Sequence, residues 1–233
     1  QTLPFAKTYV APVLVAKPAS SHGGDPGVIR VQGLTATYAQ LRYQEWNYLD
    51  GKHGAPEDVF YLVSETGEHD LGGLTVVANR LVSNKLGRAG QWEVIGLTTV
   101  FAADPAVFAA VMTHNGGDAV TTRIRNLGLT GFELAMDEQE AKSDGHINET
   151  LGWIAIAQGT GTTAEGRQLE VFFEQLDDTL TAVPYWIDTT YRHPTVVGEV
   201  DSTFEADPVF LRYANPGNTQ IELKLAEEQS ADS

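Results

Sequence analysis

The sequence predicts an all-β chain of tandem antiparallel β-sandwich modules, and three observations carry that expectation. Nearly the same stretch occurs twice: Gly23-Gly24-Asp25 returns as Gly116-Gly117-Asp118, and the likeness runs on through His53 and His146. Short runs rich in β-branched and aromatic residues alternate between turn signals. Sustained helical periodicity is nearly absent, with Leu169 to Leu180 the best helical candidate.

The predicted strands come in matched pairs. Pro12-Val13-Leu14-Val15-Ala16 opens the first copy and Pro105-Ala106-Val107-Phe108-Ala109 the second. Gly27–Val31 then matches Val120–Ile124, Ala39–Tyr43 matches Phe132–Met136, and Val59–Val63 matches Leu151–Ile156. Turn residues separate the runs at Gly23-Gly24-Asp25-Pro26, Asp50-Gly51 and Asp144-Gly145. A spacing of 93 residues pairs Arg30 with Arg123, Leu34 with Leu127, Thr37 with Thr130, Leu41 with Leu134, Glu45 with Glu138 and His53 with His146. One extra residue in the first copy then pairs Glu57 with Glu149 and Tyr61 with Trp153. Polar residues match along with apolar ones, so shared hydrophobic patterning does not account for the repeat.

A third, incomplete copy is expected near the end. Phe204 to Phe210 echoes Phe101 to Phe108, and Ile221-Glu222-Leu223-Lys224-Leu225 reads as a strand. It is either a degenerate capping copy or a piece of a longer array. The expected modules are 1–72, 73–165 and a partial 166–233, packed together because no low-complexity linker separates them.

Composition narrows the function. With 15 basic and 31 acidic residues the formal charge is −16, which repels phosphate backbones and anionic lipid heads, so neither nucleic acid nor a membrane surface is expected as a partner. The charge fits solubility in salty surroundings. Without cysteine there is no disulfide framework and no zinc–cysteine site. No apolar run approaches the roughly 18 residues of a membrane helix, and the start lacks the basic and apolar regions of a signal peptide. A chain beginning at Gln1 reads as processed or trimmed.

Arg123 to Asn126, Thr130-Gly131-Phe132 and Trp153-Ile154-Ala155-Ile156, in that order after a proline-led strand, resemble the H-type lectin domain. The first copy departs at its turn, Thr37-Tyr38-Ala39, and lacks the tryptophan in its last strand. The resemblance implies a six-stranded antiparallel sandwich, usually trimeric, that binds galactose-type sugars near subunit contacts; three copies in one chain would mimic such a trimer. The family's sugar-contacting arginine falls on Arg30 and Arg123. Its Trp-His pair falls on Trp46-Asn47 and Gln139-Glu140, so histidine is missing from both copies. The Gly-Gly-Asp turn and the His53 and His146 segments resemble modules of large extracellular bacterial proteins, often carbohydrate-active or adhesive.

Sugar recognition needs an apolar platform beside planar hydrogen-bonding groups, and the first-copy loop supplies both in Trp46 and Tyr48 next to Glu45, Asn47 and Asp50. Alternatively, Trp46 packs onto a neighbouring module. His53 and His146 lie between carboxylates, as a small polar or metal site or, preferably, as a hydrogen-bonded network fixing the loop to its strand. Arg30 and Arg123 serve as partners of Glu45 and Glu138 or as ligand donors. Asp25 and Asp118 read as turn residues, since no EF-hand spacing is present. Tyr185, Trp186, Tyr191, Arg192 and His193 form the densest aromatic cluster, read as linker packing, a binding cleft, or the start of a polysaccharide lyase site in which a Tyr or His moves a proton.

The expected function is therefore non-catalytic carbohydrate binding by a secreted lectin-like module. The alternatives are a polysaccharide lyase or a structural repeat array of an extracellular adhesin. Glycan contacts are expected at Arg30, Trp46, Asn47, Tyr48, His53, Arg123, Glu140 and His146, with Tyr185, Trp186, Tyr191, Arg192 and His193 as secondary candidates. No cofactor and no metal are expected; the partners are a glycan or polysaccharide and, through trimer-like packing, other repeats.

Overall fold

The computed structural model describes residues 1–142, 144–187, 191–204 and 207–231. Its regular structure is β, apart from a 3-10 turn at Gly87–Ala89. The first module holds β1 (Thr2–Pro4), β2 (Pro12–Val15), β3 (Ala19–Ser20), β4 (Gly27–Leu34), β5 (Tyr38–Glu45) and β6 (Leu62–Glu65). A hairpin of β7 (Gly67–Leu71) and β8 (Leu74–Ser83) leads to the second module: β9 (Glu93–Gly96), β10 (Ala106–Val111), β11 (Val120–Gly128), β12 (Gly131–Glu138) and β13 (Glu149–Ile156). A second hairpin, β14 (Gly159–Thr162) with β15 (Gln168–Val171), leads to β16 (Thr181–Pro184), β17 (Val209–Ala214) and β18 (Gln220–Glu227). Both expected module boundaries fall inside these connecting hairpins.

The pairing register repeats from module to module. The long hairpins align Gly27 with Glu45, Val120 with Glu138 and Val209 with Glu227. In each case an edge strand is added to the second arm: β1 on β5, β9 on β12 and β16 on β18. The first two hairpins both shift register in the first arm, between Val31 and Gly33 and between Arg125 and Gly128. Position 33 carries glycine, and its counterparts Asn126 and Asn215 sit at φ 51° and 45°, a left-handed conformation that asparagine tolerates better than most residues.

This register corrects the expected alignment of the third copy. Val209 lies 89 residues after Val120, so Phe210 matches Thr121 rather than Phe108. Phe101 is 4 % exposed and caps the second core, whereas Phe204, its expected counterpart, is 96 % exposed. The spacing of 89 also places Pro194 opposite Pro105, making residues 194–200 the proline-led segment of the third module. The best helical candidate in the sequence, Leu169 to Leu180, forms no helix. Gln168–Val171 is a strand instead, because Leu169 and Val171 pack beside Val197 on the core of the first module.

The second module is a complete sandwich. β10, β13, β8 and β7 form one sheet, and β11, β12 and β9 form another. Leu151, Trp153 and Ala155 of β13 face Ile124, Phe132, Leu134 and Met136, with Trp153 edge-on to Phe132 at 5.4 Å between ring centroids. The alternate residues Ile154 and Ile156 face outward yet are also buried, against Val13, Leu14 and Val15 of the first module. Burial on both faces explains why β13 reads as an unbroken apolar run. Gly152 is required there: a Cβ would lie 2.4 Å from Met112 Sδ and 2.9 Å from Val13 Cγ1.

The third module closes the arrangement on the first. β17 pairs in parallel with β3, matching Arg212 to Ala19 and Tyr213 to Ser20. Val28, Ala119 and Phe210, one from each module, share a small core with Trp46. Beside it Lys17 Nζ lies 2.8 Å from Glu199 Oε2 and 2.7 Å from Thr122 Oγ1, again joining all three modules.

Candidate functional site

At each module junction an arginine from the first arm of one hairpin donates to backbone carbonyls of another module, those of the Gly-Gly-Asp turn in the first two modules and that of Asp207 in the third. Arg30 donates to the carbonyls of Asp118 and Gly116 and pairs with Glu149 at 3.0 Å. Arg123 donates to the carbonyl of Asp207. Arg212 donates to the carbonyls of Asp25 and Gly23 and pairs with Glu57 at 2.8 Å. The direction is cyclic: first module into second, second into third, third into first. All three guanidinium groups are buried, Arg30 completely.

Each glutamate receiving such an arginine is also tied to its own module. Glu57 accepts from the backbone N–H groups of His22 and Gly23, at 3.0 and 2.8 Å, and from the Ser20 hydroxyl. Glu149 accepts from Asn115 and Gly116, at 3.0 and 2.9 Å, and from the Thr113 hydroxyl. The histidine of the long loop completes the cluster. His53 Nε2 lies 2.7 Å from Glu57 and its Nδ1 3.3 Å from Glu45. His146 Nε2 lies 3.2 Å from Glu149, and its Nδ1 bonds to Glu138. Gly23 and Gly116 are needed because a Cβ would fall 2.4 Å from His53 Nε2 and 2.5 Å from His146 Cε1. The histidines thus pin loop to turn, and the arginines pin one module to another.

The electrostatics fit that role. Burial alone would raise the carboxyl pKa of Glu149, but hydrogen bonds from His146, Thr113, Gly116 and Asn115 outweigh it and hold it down to about 2. Glu57 is held down to about 2 in the same way, burial being overcome by Ser20, Gly23, His53 and His22. Burial would lower the pKa of His146, yet hydrogen bonds and charge from Glu138 and Glu149 raise it to about 9. Burial also lowers the Arg30 pKa, opposed by the charge of Glu149. The second cluster is therefore a buried network with histidine and arginine both charged at neutral pH.

These positions alter the expected binding surface. Trp46 is 0 % exposed among Val28, Ala119 and Phe210, so its ring offers no face to a sugar. Arg30 and Arg123 are buried at module junctions, Arg123 at the border of a cavity in the third module. Neither forms the expected close pair with Glu45 or Glu138: Arg30 reaches Glu149, and Arg123 comes within 3.9 Å of Asp137. Asn47 is exposed but spans the junction, bonding to the Asp118 carboxylate and accepting from Ala119 N–H at 3.3 Å. Glu140 N–H donates to Glu228 of the third module at 2.8 Å. Tyr48 is 38 % exposed. The Asp118 carboxylate takes Lys142 and Asn47 rather than its own backbone. Asp25, Glu45 and His53 each present a donor atom within 4.8 Å of the others, but both His53 nitrogens already contact carboxylates.

The second group of aromatics lies elsewhere, between β16 and the third module's proline-led segment. Trp186 is 59 % exposed and stacks on Phe172, with ring centroids 4.8 Å apart and planes 21° apart. Tyr185 and Tyr191 meet edge-on at 5.3 Å, and Glu170 accepts from Ile187 N–H at 2.8 Å. Tyr185, Tyr191, Arg192 and His193 border a cavity of about 1340 Å³ whose lining does not include Trp186.

The sequence pattern pointed to Arg30 and Arg123 but not to Arg212, their third-module counterpart in the cycle. The spacing of 89 residues from Arg123 would have found it.

No family model matches this chain, and no solved structure does. The chain is similar to halomucin of Haloquadratum walsbyi (strain DSM 16790 / HBSQ001), with 26 % identity over 239 residues that cover 98 % of this chain and 2 % of that protein. The chain thus spans a very small part of its relative's length. Among the described residues no helix is long and apolar enough to cross a membrane.

Proposed function

We propose that this chain is a non-catalytic scaffold unit of an extracellular, mucin-like repeat protein. The observation that carries the reading is the cyclic wiring of Arg30, Arg123 and Arg212, which spends the most polar buried groups on joining modules rather than on a cleft. The similarity to halomucin, whose name describes a mucin, supports the extracellular setting, and the charge of −16 supports a salty one. An activity screen on a polysaccharide panel tests it. No new reducing or unsaturated ends are expected; their release would establish the lyase alternative.

A second reading, carbohydrate binding, is favoured by the stacked pair of Trp186 and Phe172. An exposed indole braced from behind suits the C–H face of a sugar, and Glu170, which accepts from the N–H of the next residue Ile187, supplies a carboxylate nearby. The resemblance to H-type lectins belongs with this reading, although the contacts move from Trp46 to Trp186. On a glycan array Trp186→Ala should lose binding that the parent shows; a parent that binds no glycan would end this reading.

A further inference from the structure

The second and third modules differ in one respect that leaves a defined space. In the second module β13 lies between β10 and β8, antiparallel to both. The third module has the counterparts of the flanking strands. Residues 194–200 match β10 through Pro105 and Pro194, and the β14–β15 hairpin matches β7–β8, pairing Gly159 with Val171 as Gly67 pairs with Ala78. Among the described residues no strand lies between them. The cavity of about 1340 Å³ occupies that interval, bordered by residues 166–178 on one side and 191–202 on the other. It exceeds the roughly 300–1,000 Å³ usual for small-molecule sites.

The floor and walls of the cavity match what β13 meets in its own module. Ile221, Leu223 and Leu225 stand 89 residues after Phe132, Leu134 and Met136 and line the cavity. Met136 and Val107 are fully buried beneath β13, whereas their counterparts Leu225 and Val196 are only partly buried. β8 carries ladders on both edges, while among the described residues β15 pairs with β14 alone. Among the described residues, 194–200 form no ladder; the backbone hydrogen bond found there runs from Gly198 N–H to the Lys17 carbonyl at 3.3 Å. Apolar side chains and open strand edges on both sides suit one kind of occupant.

We propose that the cavity is a strand-acceptor site for an extended polypeptide segment of the β13 type, with large apolar residues on both faces, inserted antiparallel to residues 194–200 and to β15. Strand addition of this kind draws affinity from main-chain hydrogen bonds and selectivity from alternating side-chain pockets. It rests on the equivalence of the modules and is independent of any glycan contact at Trp186.

The test adds a synthetic peptide with the sequence of residues 147–157 to the 233-residue chain and follows amide hydrogen exchange. The same peptide with proline at the Trp153 position is the control, since proline removes a ladder donor and the anchoring ring. Exchange at residues 168–171 and 195–200 should slow by about tenfold or more with the first peptide and stay unchanged with the control. In parallel the same segment is fused after residue 233 through a flexible linker, which raises its local concentration to about millimolar and removes weak affinity as an escape. Unchanged exchange in the fused chain, protection confined to other strands, or equal protection by the proline peptide would overturn the proposal.

Discussion

Replacing Arg30 by alanine removes the side chain that joins the first module to the second. The guanidinium is fully buried and makes three contacts: the Glu149 carboxylate at 3.0 Å and the carbonyls of Gly116 and Asp118. Its loss leaves two carbonyls short of a donor in a site closed to water, at about 1–3 kcal/mol for a stranded buried group. It also leaves Glu149 charged, because four other donors keep its pKa at about 2. Breaking a buried pair from one side costs about 3–5 kcal/mol in total. For a chain of this size each kcal/mol moves the melting temperature by about 2–4 °C, so a fall of about 6–20 °C is expected. Urea unfolding followed by tryptophan fluorescence gives the free energy, with Arg167→Ala as the reference: Arg167 is exposed and should change stability by less than about 0.5 kcal/mol. If Arg30→Ala is as mild as Arg167→Ala, the junction does not depend on this arginine and the scaffold argument fails.

The charge state of His146 makes a second prediction. Its folded pKa of about 9 lies above the unfolded 6.5, so its stabilisation is complete below pH 6.5 and disappears as pH rises toward 9, up to about 3 kcal/mol at 1.36 kcal/mol per unit. His146→Gln should flatten the stability profile over that interval; a profile with the parent's slope would exclude His146 as its source. Glu57 and Glu149 act at the other end, where their stabilisation is present above pH 4.5 and lost as pH falls toward 2. Glu57→Gln should remove part of that acid-side loss in a melting series. Salt should stabilise the chain, since raising NaCl from 0.1 to 1 M shortens the screening length from about 10 to about 3 Å against a charge of −16; a melting temperature that falls with salt contradicts this. Trp46→Ala, in a fully buried site, should cost about 3–5 kcal/mol in denaturant unfolding, while the exposed Trp186→Ala leaves stability nearly unchanged. The reverse order would mean the two rings have been assigned the wrong roles.

Much of the architecture was legible along the chain because it is written in short-range patterns. Strand runs, the turns between them and the spacing of 93 residues are local or periodic, and the loop network of Glu45 with His53 and Glu138 with His146 joins residues eight apart. Other features depend on contacts that no short window contains. Arg30 meets Glu149 across 119 residues and Arg212 meets Glu57 across 155, so nothing near Glu45 or Glu138 in sequence signals the true partner. The sequence shows Trp46 in a polar loop, as a binding tryptophan would be; only packing against Ala119 and Phe210 of the other modules decides that it is buried. The Phe204 echo failed for a related reason: apolar residues beside Asp-Pro recur by composition, and hydrogen-bond register alone assigns Val209 to the position of Val120. The sequence by itself determined the all-β class and the repeated unit, since periodicity and turn chemistry act within one strand or hairpin. The closed ring, the buried arginines and the open strand slot were decided by the tertiary structure, because burial and charge pairing are set by which modules meet.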